Sequence, residues 1–463
     1  MSVWPFISGA FIGTVLIFWP FEHVRAEIVP GHDFDAADSF FISISVIEKS
    51  EKSCTKDRKC YLTDQTTINL VVNGGIMIQA EMISYKSPGH TIIGMGALEK
   101  LADELKAFES KRALLVTDRG LIEHGIDQKV KSHFEKAGIE IDTFDKVISD
   151  PDIGCLESCV EVAKQGQYDL IVGLGGGSPM DIASATSVMV TNPGKVQDYL
   201  GIDLVKNPGL PSILIPTTSG TGAEVTPNAI LSDTEANLKK AIVSPYIFAT
   251  LVIVDPLLTV SMPAEVTSWS GIDALTHVIE CYTSKKANFY SDLFCRDAIK
   301  RIGRSLRTAV ADGDNLQARY DMCVASHWGG IAITLSGTTA VHALAYPLGG
   351  QFHVAHGIAN GLLLPYVMQF NAMGNIEKFA DVARLLGEKV NHLTLLEQAN
   401  HAADAVKALY RDLKIPQSLT ELGIPKEAIP RMARAAMDVT RLMVNNPRSM
   451  STEDAEMIYE KAL

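Results

Sequence analysis

The sequence has few cysteines, modest charge and no basic stripe, and each of these features excludes a class of protein. Seven cysteines in 463 residues are too few for a disulfide framework, and none has histidine neighbours at metal-finger spacing. The net charge of −13 and the lack of a basic stripe argue against a nucleic-acid partner. No long low-complexity run argues for disorder. The composition therefore predicts a packed cytoplasmic protein with reduced thiols.

The first 81 residues lack the pattern of the rest of the chain. Residues 2–21 are uncharged and mostly apolar, like a signal or anchor helix, but no basic segment precedes them and four Pro and Gly residues interrupt them. Residues 28–81 show neither a helical period nor strands that would join the sequence downstream. We interpret residues 1–81 as an uncertain extension, with the working start at Met82 or Met77. A membrane partner is expected only if residues 1–21 are a real signal or anchor.

From residue 90 the chain alternates helical and strand patterns, which predicts a parallel sheet flanked by helices. After Pro263 the strand signal nearly disappears, and Ala- and Leu-rich helical periods continue to the C-terminus. We predict an α/β domain over residues 82–263 and an all-helical domain over residues 264–463. The length of the chain agrees with two domains plus an extension.

A glycine-rich loop lies between a buried strand and a helix. Glycines there let backbone N–H groups approach a phosphate, and the helix N-terminus favours negative charge. The spacing is not the Rossmann Gly-x-Gly-x-x-Gly, so a different dinucleotide fold is expected. We predict that phosphate contacts come from this loop, at Gly175, Gly176, Gly177, Ser178 and Asp181.

A second loop, rich in hydroxyl groups, also follows a strand and is expected to line the same phosphate or ribose cleft. Its candidate residues are Thr217, Thr218, Ser219 and Thr221. Asp118 stands at the end of another strand, where a carboxylate bonds ribose hydroxyls and repels a 2′-phosphate. This position favours NAD over NADP, although a surface carboxylate at a strand end explains it almost as well.

One aspartate and three histidines form a candidate metal site. Asp273 and His277 are four residues apart in a helical stretch, so both side chains leave one face of one helix. His342 and His356 flank residues 345–350, which contain Pro and Gly residues and are expected to break any helix. One carboxylate and three imidazoles suit a divalent transition metal such as iron or zinc.

Four motifs in this order resemble the iron-containing (group III) alcohol dehydrogenase family. They are the segments 175–181, 216–222, 271–277 and 356–360, and the resemblance extends from about residue 82 to the C-terminus. It implies an α/β dinucleotide-binding domain, an all-helical metal domain of the dehydroquinate synthase-like fold, and an active site in the cleft between them. It also implies Fe²⁺ ligands at Asp273, His277, His342 and His356, a cofactor contact at Lys240, and a homo-oligomer.

The sequence departs from this family at one position. Many members carry a further histidine four residues after the third ligand, and this chain has Tyr346 there. We predict that Tyr346 or the nearby His353 serves proton transfer, although an aromatic wall is an equal interpretation of Tyr346. No cluster of Arg or Lys falls at the metal motifs, which favours a neutral substrate over a dicarboxylate.

The predicted function is hydride transfer between NAD(H) and a small primary or secondary alcohol, aldehyde or ketone, with the metal acting as a Lewis acid on the substrate oxygen. Three alternatives stay open. They are a zinc enzyme like glycerol dehydrogenase, a hydroxyacid–oxoacid transhydrogenase that retains its cofactor, and an NAD-binding paralogue impaired at Tyr346.

Overall fold

The computed structural model describes residues 82–233 and 238–463, together with the backbone of four short earlier segments. The signal-like residues 2–21 lie outside the described part, as do Cys54 and Cys60. The four early segments pair into an antiparallel sheet in the order β1-β2-β3-β4. These strands, which the sequence pattern did not predict, are β1 (Arg25–Ala26), β2 (Ser43–Val46), β3 (Thr67–Val72) and β4 (Ile76–Glu81).

Residues 1–85 and residues 86–463 form two separate units. The strands of the second unit are β5 (His90–Ile93), β6 (Arg112–Val116), β7 (Glu140–Phe144), β8 (Leu170–Gly175), β9 (Gly201–Ile202), β10 (Ser212–Pro216), β11 (Asn228–Asp233), β12 (Leu238–Val243) and β13 (Leu251–Val254). Six of them form a parallel sheet in the order β5-β13-β10-β8-β6-β7. The other three form a small sheet in the order β11-β12-β9.

The helices follow the predicted change from mixed to all-helical structure. Those between the strands are α1 (Leu101–Glu104), α2 (Arg119–Glu123), α3 (Ile126–Ala137), α4 (Ile153–Gly166) and α5 (Gly177–Thr191). Those after β13 are α6 (Ala264–Thr283), α7 (Phe289–Ala311), α8 (Leu316–Ser336), α9 (Ala340–Phe352), α10 (His356–Asn371), α11 (Ile376–Leu385), α12 (Leu395–Asp412), α13 (Ile429–Met437), α14 (Thr440–Met443) and α15 (Thr452–Lys461).

The large sheet is buried on both faces, as expected for parallel strands with helices on each side. Along β6, Leu114 and Val116 enter one hydrophobic core, whereas Ala113 and Leu115 enter another on the opposite face. This alternation is the period of two that a strand imposes. The predicted α/β class with an all-helical C-terminal part is confirmed.

Helix α9 corrects the prediction that residues 345–350 break any helix. The helix continues through Pro347, Gly349 and Gly350 to Phe352. Pro347 removes one backbone hydrogen bond, which costs about 3 kcal/mol in a helix interior. Leu344 and Leu348, one turn apart, are fully buried in the helical core, and their burial offsets this cost.

Among the described residues, no single helix is long and apolar enough to cross a membrane. Helices α8 and α9 reach that length and apolarity only as a pair, and they are bent by 108° relative to each other.

Candidate metal centre

Helix α6 presents three acidic or imidazole side chains on one face. Asp273, His277 and Glu280 are spaced by four and then three residues, so all three point to the same side of the helix. All three side chains are buried. Because an unpaired buried carboxylate is costly, this face must meet partners from other elements.

Helix α9 brings the third histidine to this face. Its N-cap is Thr339, so His342 lies in the first turn of α9 and Tyr346 lies one turn later. The His342 ring stacks on His277 with 4.7 Å between the ring centroids. The short connection between α8 and α9 therefore delivers His342 from the start of α9.

Helix α10 supplies the fourth candidate ligand and an amide. It begins at His356, and Asn360 lies one turn later on the same side. Gly357 allows this arrangement, because a Cβ at that position would lie 2.4 Å from the carbonyl oxygen of Trp269 on α6. The absence of a side chain at Gly357 lets α10 pack close to α6.

The structure brings the four predicted ligands together. One ligand atom each from Asp273, His277, His342 and His356 lies within 4.8 Å of all the others. That spacing is close to the span of a coordination shell with bonds of about 2.1 Å. Three helices that are distant in sequence thus converge on one small polar volume.

The protonation states of the cluster suit a metal. Burial raises the pKa of Asp273, but the neighbouring imidazoles more than offset burial and lower that pKa to about 2. Burial lowers the pKa of His277, and it lowers the pKa of His356 to about 3. At neutral pH the carboxylate is ionised and these two imidazoles are neutral, which are the states that bind a metal.

The amide of Asn360 lies among the candidate ligand atoms. Its Nδ2 lies 2.8 Å from Asp273 Oδ1, 3.2 Å from His342 Nε2 and 3.1 Å from His356 Nε2. An amide nitrogen has two hydrogens and cannot serve three acceptors, and Asn360 Oδ1 is buried without a partner. The donor set therefore fits a divalent transition metal of the iron or zinc type.

Glu280 orients His342 from the side away from the cluster. Its Oε1 accepts hydrogen bonds from Thr339 N at 3.0 Å, Thr339 Oγ1 at 2.7 Å and Val341 N at 2.8 Å. Its Oε2 accepts the hydrogen of His342 Nδ1, which leaves the Nε2 lone pair for a metal. Burial opposes ionisation of Glu280, but His342 and these donors outweigh burial and lower its pKa.

One cavity connects the cluster with the glycine-rich loop. It has a volume of about 390 Å³. The predicted site residues that line it are Gly177, Ser178, Asp181, Thr221, His277, His342, Tyr346 and His356. The candidate cofactor loop and the candidate metal ligands therefore face a common space.

The glycine-rich loop has the geometry of a helix N-terminus. Gly175 ends β8 with a φ of 149°, and a Cβ there would lie 2.6 Å from Pro179 Cγ. Gly176 is the N-cap of α5, so the N–H groups of Gly177 and Ser178 are free of helical acceptors. Pro179 lies in the first turn, where it lacks only an N–H that would have no helical partner.

Several predicted cofactor residues lie outside the lining of this cavity. Gly175 and Gly176 lie just before the lining residues of the loop, and Thr217 N donates to Gly175 O at 2.9 Å. Thr218 packs beside Gly176. Ser219 is buried, with its Oγ 3.3 Å from the Sγ of Cys323 on α8, so this side chain contacts a helix instead of the cavity.

The two predicted cofactor carboxylates have structural partners. Asp118 caps α2, with its Oδ1 accepting from Leu121 N at 3.1 Å. Asp181 Oδ2 accepts from Ile230 N at 3.0 Å and so ties α5 to β11. Burial raises the pKa of Asp181 to about 7. Of the two, only Asp181 lines the cavity.

Lys239, and not the predicted Lys240, lines the cavity. Lys240 is exposed, pairs with Asp233 at 2.7 Å and does not line the cavity. Successive residues of β12 point to opposite sides, so the cavity receives Lys239 instead. Lys239 Nζ lies 2.5 Å from Asp150 Oδ1.

The two candidate proton-transfer residues are placed differently. Tyr346 lines the cavity, and its hydroxyl accepts a hydrogen bond from Arg441 Nη2 at 2.8 Å. His353 is exposed and absent from the lining, because α9 continues past Pro347 and His353 becomes its left-handed C-cap. His353 therefore lies outside the lining of this cavity.

Four residues at the site are not among the predicted ligands, cofactor contacts or proton-transfer residues. Glu280 lies on the ligand helix α6, and Asn360 lies in the motif 356–360. Their spacing from His277 and His356 was the available signal. Lys239 and Arg441 carried no such signal, because a β-hairpin and a helix near the C-terminus bring them to the cavity.

Known proteins resemble this chain in sequence and in structure. The family models "Iron-containing alcohol dehydrogenase" and "Fe-containing alcohol dehydrogenase family, C-terminal" match residues 88–256 and 267–463. Long-chain-alcohol dehydrogenase 1 of Geobacillus thermodenitrificans is 40% identical over 373 residues, which cover 80% of this chain and 94% of that protein. The 1,3-propanediol dehydrogenase of Klebsiella pneumoniae is 38% identical, over 82% of this chain and 99% of the relative.

A crystal structure of 1,3-propanediol oxidoreductase superposes with a TM-score of 0.80 at 38% identity. The match covers 82% of this chain and 100% of the other. Together, the two adjacent family models, the close relatives and the shared fold show that this chain belongs to the iron-containing alcohol dehydrogenase family.

Proposed function

We propose that this chain transfers a hydride between NAD(H) and a small primary or secondary alcohol or its carbonyl product, with Fe²⁺ bound at the four-ligand cluster. NAD-dependent oxidoreduction of alcohols and aldehydes follows from the family. The metal identity, the residue roles and the substrate are the proposed parts. The observation that carries them is the single cavity shared by the glycine-rich loop and the ligand cluster.

The chain's own residues have separable tasks in this proposal. Asp273, His277, His342 and His356 hold the metal, and Asn360 and Glu280 orient the ligand atoms. A divalent metal held there supplies Lewis acidity toward the substrate oxygen. The free N–H groups of α5 favour the pyrophosphate of NAD, with the N-terminal end of the helix dipole behind them.

Tyr346 is the proposed route for the substrate proton. Its hydroxyl oxygen accepts from Arg441, so its own hydrogen can turn into the cavity. The tyrosine lies one turn from His342 on α9, beside the cluster. In the oxidation of an alcohol it would pass the hydroxyl proton toward solvent, and in the reverse direction it would return one.

Asp118 supports the preference for NAD over NADP. It follows β6 at the carboxyl end of the sheet, and its Oδ1 caps α2. The charge of this carboxylate would repel a 2′-phosphate. The proposal also includes a cytoplasmic homo-oligomer. The five cysteines among the described residues are all free, which suits a reducing compartment.

A panel of alcohols and aldehydes tests this function. The full chain, loaded with Fe²⁺ or Zn²⁺, is assayed by NADH absorbance with NAD and with NADP, alongside His277→Ala. We expect turnover with NAD, higher with Fe²⁺, and loss of both bound metal and turnover in His277→Ala. Full activity in that variant would refute the proposal.

The same panel separates the alternatives. Activity restricted to glycerol-like diols with Zn²⁺ would indicate a glycerol-dehydrogenase-like enzyme. Dismutation of an alcohol–ketone pair without added NAD would indicate a transhydrogenase. Metal and NAD binding without turnover of any alcohol would indicate an impaired paralogue.

A further inference from the structure

A second cation besides Lys239 lines the cavity. Arg441, on α14, belongs to the same wall as Leu442 and Asn445. Asn445 holds that wall in place, because its Nδ2 donates to the carbonyl oxygen of Thr338 at 3.1 Å. Arg441 therefore lines the cavity from a segment near the C-terminus, far in sequence from the glycine-rich loop.

The guanidinium of Arg441 contacts Tyr346, and Tyr346 lies on the same helix as the candidate ligand His342. Its Nη2 donates to the Tyr346 hydroxyl at 2.8 Å, and its Cζ lies 5.9 Å from the centroid of that ring. Tyr346 is four residues after His342, which places it one turn of α9 from a metal ligand. Arg441 therefore lies next to the part of the cavity in which the proposed function places the substrate.

Arg441 is exposed, and no ion pair among the described residues includes it. Lys239, the other cation of the lining, is paired with Asp150 at 2.5 Å. The contacts of its guanidinium within residues 82–233 and 238–463 are with the hydroxyl and the ring of Tyr346, both of them neutral. A guanidinium also has five N–H donors in a planar fork, and Tyr346 uses one of them.

We propose that Arg441 binds an anionic group of the substrate, a carboxylate or a sulfonate, at the end remote from the reacting carbon. The substrate class is then short aldehydes with a terminal anion and the matching hydroxy acids, in place of the neutral substrate that the sequence favours, because Arg441 reaches the cavity from outside the metal motifs. A guanidinium fork pairs with such a group through two parallel hydrogen bonds. This inference rests on the proposed function.

The binding of the anionic group by Arg441 does not change the reaction itself. The aldehyde carbon receives the hydride of NADH, its oxygen receives one proton, and NADH is oxidised to NAD⁺. The anionic group keeps its bonds and its charge. Arg441 acts on the orientation of the carbon chain, so that the carbonyl faces the ligand cluster.

The test compares charged and neutral aldehydes of equal length. The full chain loaded with Fe²⁺ reduces 4-oxobutanoate or butanal, and likewise sulfoacetaldehyde or acetaldehyde, with NADH. Arg441→Gln removes the charge, and Arg441→Lys keeps the charge but not the fork. Arg434→Gln, an exposed arginine on α13 outside the cavity lining, is the matched control.

We expect the wild type to prefer the charged member of each pair in kcat/KM. Arg441→Gln should lower the ratio of kcat/KM for the charged aldehyde to kcat/KM for the neutral one by about 10- to 100-fold, the range of a charge-assisted hydrogen bond, whereas any loss through the Tyr346 hydroxyl is common to both. Arg441→Lys should lie between them, and Arg434→Gln should match the wild type. In the wild type, added salt should lower kcat/KM for the charged aldehydes alone.

Several results would overturn the inference. Equal or better use of the neutral aldehydes by the wild type would do so, as would an equal loss on both members of a pair in Arg441→Gln. A raised KM for NADH with unchanged discrimination would assign Arg441 to the cofactor pyrophosphate instead. If the wild type reduced no aldehyde at all, the proposed function itself would be refuted. That result differs from a loss of discrimination between charged and neutral aldehydes, which would refute only the role of Arg441.

Discussion

Glu280 should control metal affinity although it does not bind the metal. Its carboxylate accepts hydrogen bonds from Thr339 N, Thr339 Oγ1, Val341 N and His342 Nδ1. In Glu280→Gln, the amide oxygen can still accept from the first turn of α9. The amide NH₂ would then face His342 Nδ1 and favour the tautomer with hydrogen on Nε2. That tautomer removes the lone pair that the metal needs.

The expected loss is 10- to 100-fold in metal affinity, the usual effect of changing such a partner. This corresponds to about 1.4–2.7 kcal/mol. Glutamine is preferred to alanine here because alanine would leave four buried donors unsatisfied, at about 1–3 kcal/mol each. Such a loss would test folding instead of metal binding.

The assay is competition between the protein and a chelator of known affinity, with Zn²⁺ as the probe ion. Glu265→Gln, an exposed carboxylate in the first turn of the same helix, is the control and should match the wild type. In a His342→Ala background, the effect of Glu280→Gln should vanish. A dissociation constant for Glu280→Gln within twofold of the wild type would refute the reasoning.

Three further predictions follow from individual contacts. Asp118→Ser keeps a cap for α2 but removes the charge, so kcat/KM for NADP relative to NAD should rise about tenfold. An unchanged ratio would show that Asp118 does not discriminate between the two cofactors. Because burial raises the pKa of Asp181 to about 7, the wild type should lose stability as pH rises from about 4 to 7, and urea unfolding of Asp181→Asn should lack this loss. Gly357→Ala should cost about 1–3 kcal/mol by pushing α10 from α6, whereas Gly154→Ala, at ordinary contact distance, should not; equal melting temperatures would contradict this.

The sequence predicted the elements whose patterns are local. Helix α6 (Ala264–Thr283) has a clear apolar period, and it contains the predicted helical stretch of Asp273 and His277. The four candidate metal ligands could be grouped from the sequence because Asp273 and His277 share a helix face and because all four residue types suit one ion. Strands β8 and β10 were visible as short buried apolar runs.

The remaining features depend on tertiary context. Helix α9 was missed because Pro347 and two glycines resemble a break, and only the buried leucines show why the helix continues. The β11–β12 hairpin was missed because its second strand carries two lysines in succession. The contact of Arg441 with Tyr346 spans 95 residues, and no spacing rule reaches that far.

The most direct test of the account is a metal titration of the metal-free full chain. Fe²⁺ is added without oxygen, and NADH formation is followed at saturating alcohol and NAD. We expect activity that rises from near zero and levels off at about one ion per chain, as for a single metal site. Turnover by the metal-free protein equal to that of the loaded protein would contradict the proposal that Asp273, His277, His342 and His356 form the catalytic metal site.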